Sequence, residues 1–201
     1  MTAPDPQIDT VASPPTAAPE FHVFSENGAS LKLAYRQRPA VTGGAPGPGL
    51  VWLGGFKSDM RSSKAERLEM WAAAEGRAML RFDYSGHGES DGAFEKGTIG
   101  QWMRQSLAMV RALTTGPQIL VGSSMGGWIA LLVARELDRL GEANRLAGLV
   151  LIAPAVDFTE ALIWARLPDD VRRRIETDGY WLRPSPYANE GYPITHALLL
   201  I

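Results

Sequence analysis

The chain has no cysteine and only three histidines among its 201 residues. The absence of cysteine excludes disulfides, thiolate catalysis and cysteine-ligated metals. His22, His87 and His196 lack the close spacing of metal ligands, so the sequence predicts no metal site. No segment approaches the roughly 18 apolar residues of a membrane span. With 20 basic and 22 acidic residues, the chain also lacks the basic excess expected of a nucleic-acid binder.

The composition is that of one globular domain. Hydrophobic residues make up 45% of the chain, and the length suffices for a buried core. Residues 1–20 are rich in Pro, Ala and Thr and lack the basic and apolar regions of a signal peptide, so they predict a disordered tail. We therefore expect a soluble cytoplasmic protein.

The most informative motif is the pentapeptide GSSMG at residues 122–126. It follows an apolar strand-like run at 119–121 and precedes a helix-like run at 128–140. A G-x-S-x-G motif between a strand and a helix is the nucleophile elbow of α/β-hydrolases, in which a tight turn exposes the serine hydroxyl. The motif predicts Ser124 as the nucleophile, whereas the side chain of Ser123 would point elsewhere.

Strand-like and helix-like segments alternate along the rest of the chain. A hairpin with a turn at Asn27-Gly28 comes first. The hydrophobic pattern then predicts strands at 50–53, 78–82, 119–121 and 146–153, and helices at 64–74, 99–113 and 128–140. This alternation predicts a mostly parallel sheet with helices on both faces and a ligand site at the carboxyl ends of its strands.

Two backbone N–H groups are expected to form an oxyanion hole. One belongs to Met125, the residue after the predicted nucleophile. The other belongs to Phe56, in the loop after strand 50–53, where Gly54-Gly55 lets the backbone approach a substrate.

The segment from Asp83 to Ser90 contains His87, which is one candidate for a general base. The alternative is that this segment forms a tight turn in which Asp83 and Ser90 hold backbone groups. The order of a hydrolase triad is serine, acid, histidine, and His87 precedes Ser124, so the sequence favours the structural role.

The pattern changes after Pro154. Short helices are predicted at 156–164 and 168–175, followed by an irregular stretch at 181–192. We therefore divide the chain into a tail (1–20), an α/β-hydrolase core (21–157), a helical cap (158–192) and the start of a C-terminal core segment (193–201). The side chains considered for an acyl pocket are those of Phe56, Met125, Trp128, Phe158 and Trp164.

Four segments resemble the palmitoyl-protein thioesterase and mycophenolic acid acyl-glucuronide esterase family of α/β-hydrolases. They are WLGGFKSDM (52–60), LRFDYSG (80–86), SDG (90–92) and GPQILVGSSMGGW (116–128). The resemblance implies a serine hydrolase without a cofactor, acting on small-molecule or acylated-protein esters or thioesters. It also implies Ser124 as nucleophile, with Phe56 and Met125 at the oxyanion hole.

The chain departs from this family after the cap. The family places its catalytic acid and histidine there, beyond two further strands, but here only His196 follows the cap and no acidic residue follows Glu190. We therefore expect a C-terminally truncated core in which strand 146–153 is an edge, apolar on both faces. Asp157 is a possible substitute acid, or it caps the next helix.

Three functions agree with the sequence. The first is a serine hydrolase that forms an acyl-enzyme on Ser124. The second is an impaired hydrolase-fold protein that binds a ligand or partner. The third is the same fold with other chemistry, such as a peroxidase or a dehalogenase. A dehalogenase needs a carboxylate nucleophile, and the serine argues against it.

Overall fold

The computed structural model describes residues 18–41, 47–185 and 188–199. The predicted tail, 1–20, lies almost entirely outside these residues. The described chain begins with a hairpin of β1 (Glu20–Glu26) and β2 (Ala29–Arg38). Both turn residues have positive φ angles, 51° at Asn27 and 78° at Gly28, as a tight two-residue hairpin turn requires.

The central sheet has six strands in the order β1-β2-β4-β3-β5-β6. Strands β4, β3, β5 and β6 are parallel, while β2 runs antiparallel to β4. The predicted strands are confirmed to within two residues as β3 (Gly49–Leu53), β4 (Met79–Phe82), β5 (Gln118–Ser123) and β6 (Leu146–Ile152).

Helices cover both faces of the sheet, as predicted. They are α1 (Ser63–Ala74), α2 (Ile99–Leu113) and α3 (Met125–Arg139). Alternate residues of β3 point to opposite faces. Leu50 and Trp52 pack in a cluster that includes buried residues of α1, whereas Val51 and Leu53 pack in the larger cluster that includes α2 and α3.

The segment after β6 is only partly as predicted. A π-helical turn (Phe158–Ile163) and a 3-10 turn (Trp164–Arg166) precede α4 (Asp169–Asp178). The predicted irregular stretch at 181–192 is wrong, because β7 (Tyr180–Ser185) and β8 (Ala188–Thr195) pair as an antiparallel hairpin. Strand β8 crosses the predicted boundary at 192/193 and leads into the short α5 (His196–Leu199).

Strand β6 lies at one side of the described sheet. Among the described residues it pairs only with β5, and Val150 and Ile152 are 48% and 37% exposed.

No helix within residues 18–41, 47–185 and 188–199 is long and apolar enough to cross a membrane. Nor do the described residues contain a cluster of three or more acidic or histidine side chains suited to hold a metal ion.

Candidate active site

Ser124 lies in the sharp turn between β5 and α3. Its φ and ψ angles are 54° and −118°, a conformation that is strained for any residue except glycine. Ser124 is exposed, whereas Ser123 beside it is buried. The turn is anchored to the end of β6, because Ser124 N–H donates to the Ile152 carbonyl and Ala155 N–H donates to the Ser124 carbonyl, both over 3.0 Å. The turn thus presents one serine hydroxyl at the carboxyl edge of the sheet.

Two glycines allow the elbow and the loop after β3 to approach each other. A Cβ at Gly126 would collide with the carbonyl oxygen of Leu53. A Cβ at Gly55 would lie 3.5 Å from the Cβ of Ser124. The backbone after β3 therefore passes directly beside the predicted nucleophile.

The two N–H groups predicted to form an oxyanion hole flank this contact. Met125 begins α3, so its N–H is one of the unpaired donors at a helix start. Phe56 follows Gly55 in the adjacent loop. Neither N–H donates to an acceptor among the described residues.

His87 supports the loop that contains Phe56. The N–H of Lys57, a residue with a φ of 57°, donates to Nε2 of His87 over 3.3 Å. The other ring nitrogen, Nδ1, lies 3.2 Å from the Ser85 carbonyl and donates to it in the tautomer that this arrangement requires. Burial lowers the pKa of His87 to about 4, opposed by the contact with Ser85 and reinforced by the charge of Lys57. His87 is therefore neutral near pH 7, with both nitrogens engaged in structural contacts.

Asp83 and Ser90 hold backbone groups, as the sequence predicted. The Asp83 carboxylate accepts from the N–H groups of Met60 (2.6 Å) and Glu89 (2.9 Å). The Ser90 hydroxyl donates to the Asp83 carbonyl and accepts from Ala34 N–H. Burial raises the pKa of Asp83 to about 6, although both N–H groups oppose the shift. This network joins the turn after β4 to the loop after β3.

A cavity of about 440 Å³ opens beside Ser124. Apolar side chains form most of its wall, and two arginines are the only charged residues among its described lining. The lining residues are Phe56, Ser124, Met125, Ala155, Phe158, Leu162, Ile163, Arg166, Arg183, Tyr192 and Ile194.

Some of the acyl-pocket candidates lie at this cavity and others do not. Phe56, Met125 and Phe158 line it. Trp128 is instead buried against Phe158, with ring centroids 5.8 Å apart. The ring of Trp164 packs under the Arg172 guanidinium outside the described lining.

Asp157 and His196 do not line the cavity within the described residues. Asp157 is exposed, with a φ of 53°, at the start of the π-helical turn. Its carbonyl accepts from Ala161 N–H over 2.9 Å, but its carboxylate makes no capping hydrogen bond, so the expected side-chain cap is wrong. His196 begins α5, where its N–H donates to the Gly179 carbonyl over 2.8 Å.

Sequence reasoning missed the contribution of the hairpin to the cavity. Arg183 and Tyr192 face each other across β7 and β8, and Ile194 follows two residues later on the same strand. Alternate residues of a strand share a face, which brings Tyr192 and Ile194 to the same wall. The sequence analysis did not predict that β7 pairs with β8, because turn-forming residues within the segment concealed the two strands.

Comparison with known proteins agrees with this fold. The family model described as serine aminopeptidase, S33 matches residues 58–182. The chain belongs to this family of α/β-hydrolases. A putative hydrolase from Agrobacterium vitis S4 is 40% identical, with a TM-score of 0.81 over 91% of this chain and 70% of that one. The alpha/beta hydrolase domain-containing protein 10 from mouse is 33% identical, with a TM-score of 0.73 over 90% of this chain and 68% of that one.

A curated relative carries a more specific name. The mitochondrial palmitoyl-protein thioesterase ABHD10 of Bos taurus is 38% identical over 76% of this chain. The match covers 48% of that protein, so the chain spans about half the length of the curated relatives it matches. The predicted α/β-hydrolase fold and the resemblance to palmitoyl-protein thioesterases are thus confirmed.

Proposed function

We propose that this protein is a serine hydrolase that cleaves acyl esters or thioesters through an acyl-enzyme on Ser124. The observation that carries the proposal is the strained, exposed elbow beside the N–H groups of Phe56 and Met125, neither of which has an acceptor among the described residues. Strain at a non-glycine residue persists where the surrounding structure imposes it, and such residues concentrate at active sites. The thioesterase names of the relatives and the apolar cavity wall support acyl substrates.

In the proposed reaction, Ser124 Oγ attacks the acyl carbonyl and loses its proton to a general base. The resulting oxyanion accepts hydrogen bonds from Phe56 and Met125. Collapse of this intermediate breaks the bond to the alcohol or thiol, which leaves with a proton, and water then releases the acid. These steps use no cofactor. His87 has no free ring nitrogen for the base, and Asp157 remains a prediction for the acid.

A second candidate is a hydrolase-fold protein that binds an acyl ligand without turning it over. The observation that favours it is the absence of histidine from the described lining of the Ser124 cavity. A serine hydroxyl without an adjacent base is a weak nucleophile. The cavity would still bind ligands through its apolar wall.

Labelling with a fluorophosphonate probe separates the two candidates. Under the first candidate, the folded 201-residue chain is labelled, Ser124→Ala loses the label, and Ser123→Ala keeps it. Ser123 is the matched control, because it is the adjacent residue and is buried. Failure of the folded chain to react, together with saturable binding of a fatty acid, would favour the binding function.

A further inference from the structure

The strongest unassigned feature is the pair of arginines at the cavity. Arg166 follows the π-helical turn and Arg183 lies on β7. Both arginines are exposed, whereas the lining residues Phe158, Ile163 and Ile194 are buried. The cavity therefore combines an apolar wall with a cationic rim.

These two arginines differ from most others in the protein. Neither forms an ion pair with a carboxylate among the described residues, whose ion-paired arginines are Arg36, Arg38, Arg81, Arg104, Arg111, Arg139, Arg145 and Arg172. No Asp or Glu belongs to the described lining of the cavity either. Within the described residues, therefore, no carboxylate forms an ion pair with either arginine of this rim.

The backbone that carries each arginine is held in place. The guanidinium of Arg172 donates to the carbonyls of Trp164 and Ala165, both over 3.1 Å, and so anchors the turn that ends at Arg166. On the other side, Arg183 pairs with Tyr192 across the hairpin. The Tyr192 ring packs against Phe56, with centroids 6.4 Å apart, which connects the hairpin to the oxyanion loop.

We propose that Arg166 and Arg183 form an anion-binding subsite, so that the substrates cleaved at Ser124 carry a carboxylate or phosphate group beside their apolar part. This inference rests on the proposed ester or thioester hydrolysis. A planar guanidinium presents paired N–H donors that match both anions. An amphiphilic acyl compound fills the apolar wall with its chain and places its charge at the rim.

The first test is binding to Ser124→Ala, which does not depend on turnover. Monomethyl suberate carries one carboxylate, and dimethyl suberate is its neutral counterpart. At low salt we expect the monoanion to bind about tenfold more tightly, and added salt to weaken this preference. Octyl phosphate against 1-octanol repeats the comparison for the phosphate group.

Arginine variants then locate the effect. Arg166→Gln and Arg183→Gln are each expected to reduce the preference about threefold, and the double variant to abolish it. Arg173→Gln on α4 is the matched control, because it removes the same charge from an exposed residue outside the described lining. Equal affinity for charged and neutral ligands, no saturable binding, or a preference that survives the double variant would overturn the proposal.

Turnover by the unmodified chain identifies the side of the ester that carries the charge. Mono-4-nitrophenyl suberate has its carboxylate on the acyl chain, whereas 4-carboxyphenyl octanoate has it on the leaving group. Faster hydrolysis of either compound than of its methyl ester supports the subsite, provided that the double variant hydrolyses the two at equal rates. If the folded, unmodified chain is not labelled at Ser124 but Ser124→Ala still binds the charged ligands more tightly, the proposed hydrolase activity is overturned and the subsite stands.

Discussion

The N–H of Lys57 donates to Nε2 of His87 over 3.3 Å, and this hydrogen bond joins two loops at the candidate active site. Lys57 follows Phe56, whose own N–H is proposed to donate to the oxyanion. His87 is enclosed by Tyr84, Phe94 and Trp102, with ring centroids 4.9 to 5.4 Å away. Aromatic rings thus surround the imidazole, and the imidazole in turn accepts a hydrogen bond from the loop.

The first prediction concerns this hydrogen bond. His87→Ala removes the acceptor, so the Phe56 N–H is less well positioned and the second-order rate of fluorophosphonate labelling falls by about tenfold or more. His87→Gln offers a carbonyl oxygen in place of Nε2 and should recover part of the rate. His22→Ala, on β1, is the control. An unchanged rate in folded His87→Ala would show that the loop holds its position without this contact.

The second prediction concerns pH. Burial lowers the pKa of His87 to about 4. As the pH falls, the imidazole is therefore protonated in the unfolded chain before it is protonated in the folded one. The free energy of unfolding consequently decreases as the pH drops from about 6.5 to 4. Asp83 has its pKa raised to about 6, so its effect is opposite and stability falls as pH rises from about 4 to 6. The two contributions largely cancel in the unmodified protein.

Replacing His87 with Gln removes one of these opposed contributions. The difference in free energy of unfolding between the unmodified protein and His87→Gln should grow by up to about 3 kcal/mol between pH 4 and pH 6.5. Urea denaturation at several pH values measures it. His22→Gln should show no such growth, and a difference that stays constant with pH would contradict the burial of a neutral His87.

Local patterns in the sequence were sufficient for the elbow and for several elements. Helix α2 was predicted at residues 99–113 and occupies those residues. Its start is determined locally, because the Thr98 hydroxyl accepts from Gln101 N–H over 3.1 Å. Trp102 and Val110 recur at helical spacing and are buried. The elbow is equally local, since one pentapeptide between a strand and a helix contains the whole turn.

The arginine rim could not be predicted in this way. Pro184 and Gly191 are turn-forming residues, and they conceal the strands from a pattern-based prediction. In the structure Gly191 adopts a φ of 75° and lies so close to β7 that an added Cβ would be 2.6 Å from the Arg183 carbonyl oxygen. The pairing of Trp181 with Ile194 across the hairpin is not visible in the hydrophobic pattern of either strand alone. Pairing between the two strands therefore decides this part of the site.

The third prediction concerns the strain at Ser124. Glycine tolerates a φ of 54° and a ψ of −118°, whereas alanine does not. Ser124→Gly should therefore have a free energy of unfolding about 1 kcal/mol higher than that of Ser124→Ala. At Ser123, in the extended β5, the order should be reversed, with glycine less stable than alanine by about 0.5–1 kcal/mol. Thermal and urea denaturation measure both pairs, and equal stability of the two Ser124 variants would argue against a strained elbow.

The fourth prediction concerns the contact between α3 and the end of β3. An added methyl group at Gly126 meets the carbonyl oxygens of Leu53 and Gly54, which are backbone atoms and cannot rotate away. Gly126→Ala should therefore lower the free energy of unfolding by more than about 2 kcal/mol. Gly148→Ala is the matched control, since a Cβ on β6 at that position has nothing within 4 Å and should leave stability within about 0.5 kcal/mol.

Because the collision lies beside Gly55, any folded Gly126→Ala should also react more slowly with a fluorophosphonate. Unchanged stability and labelling would mean that the loop after β3 has room to move away from the elbow, and the close packing of the proposed oxyanion hole would then be wrong.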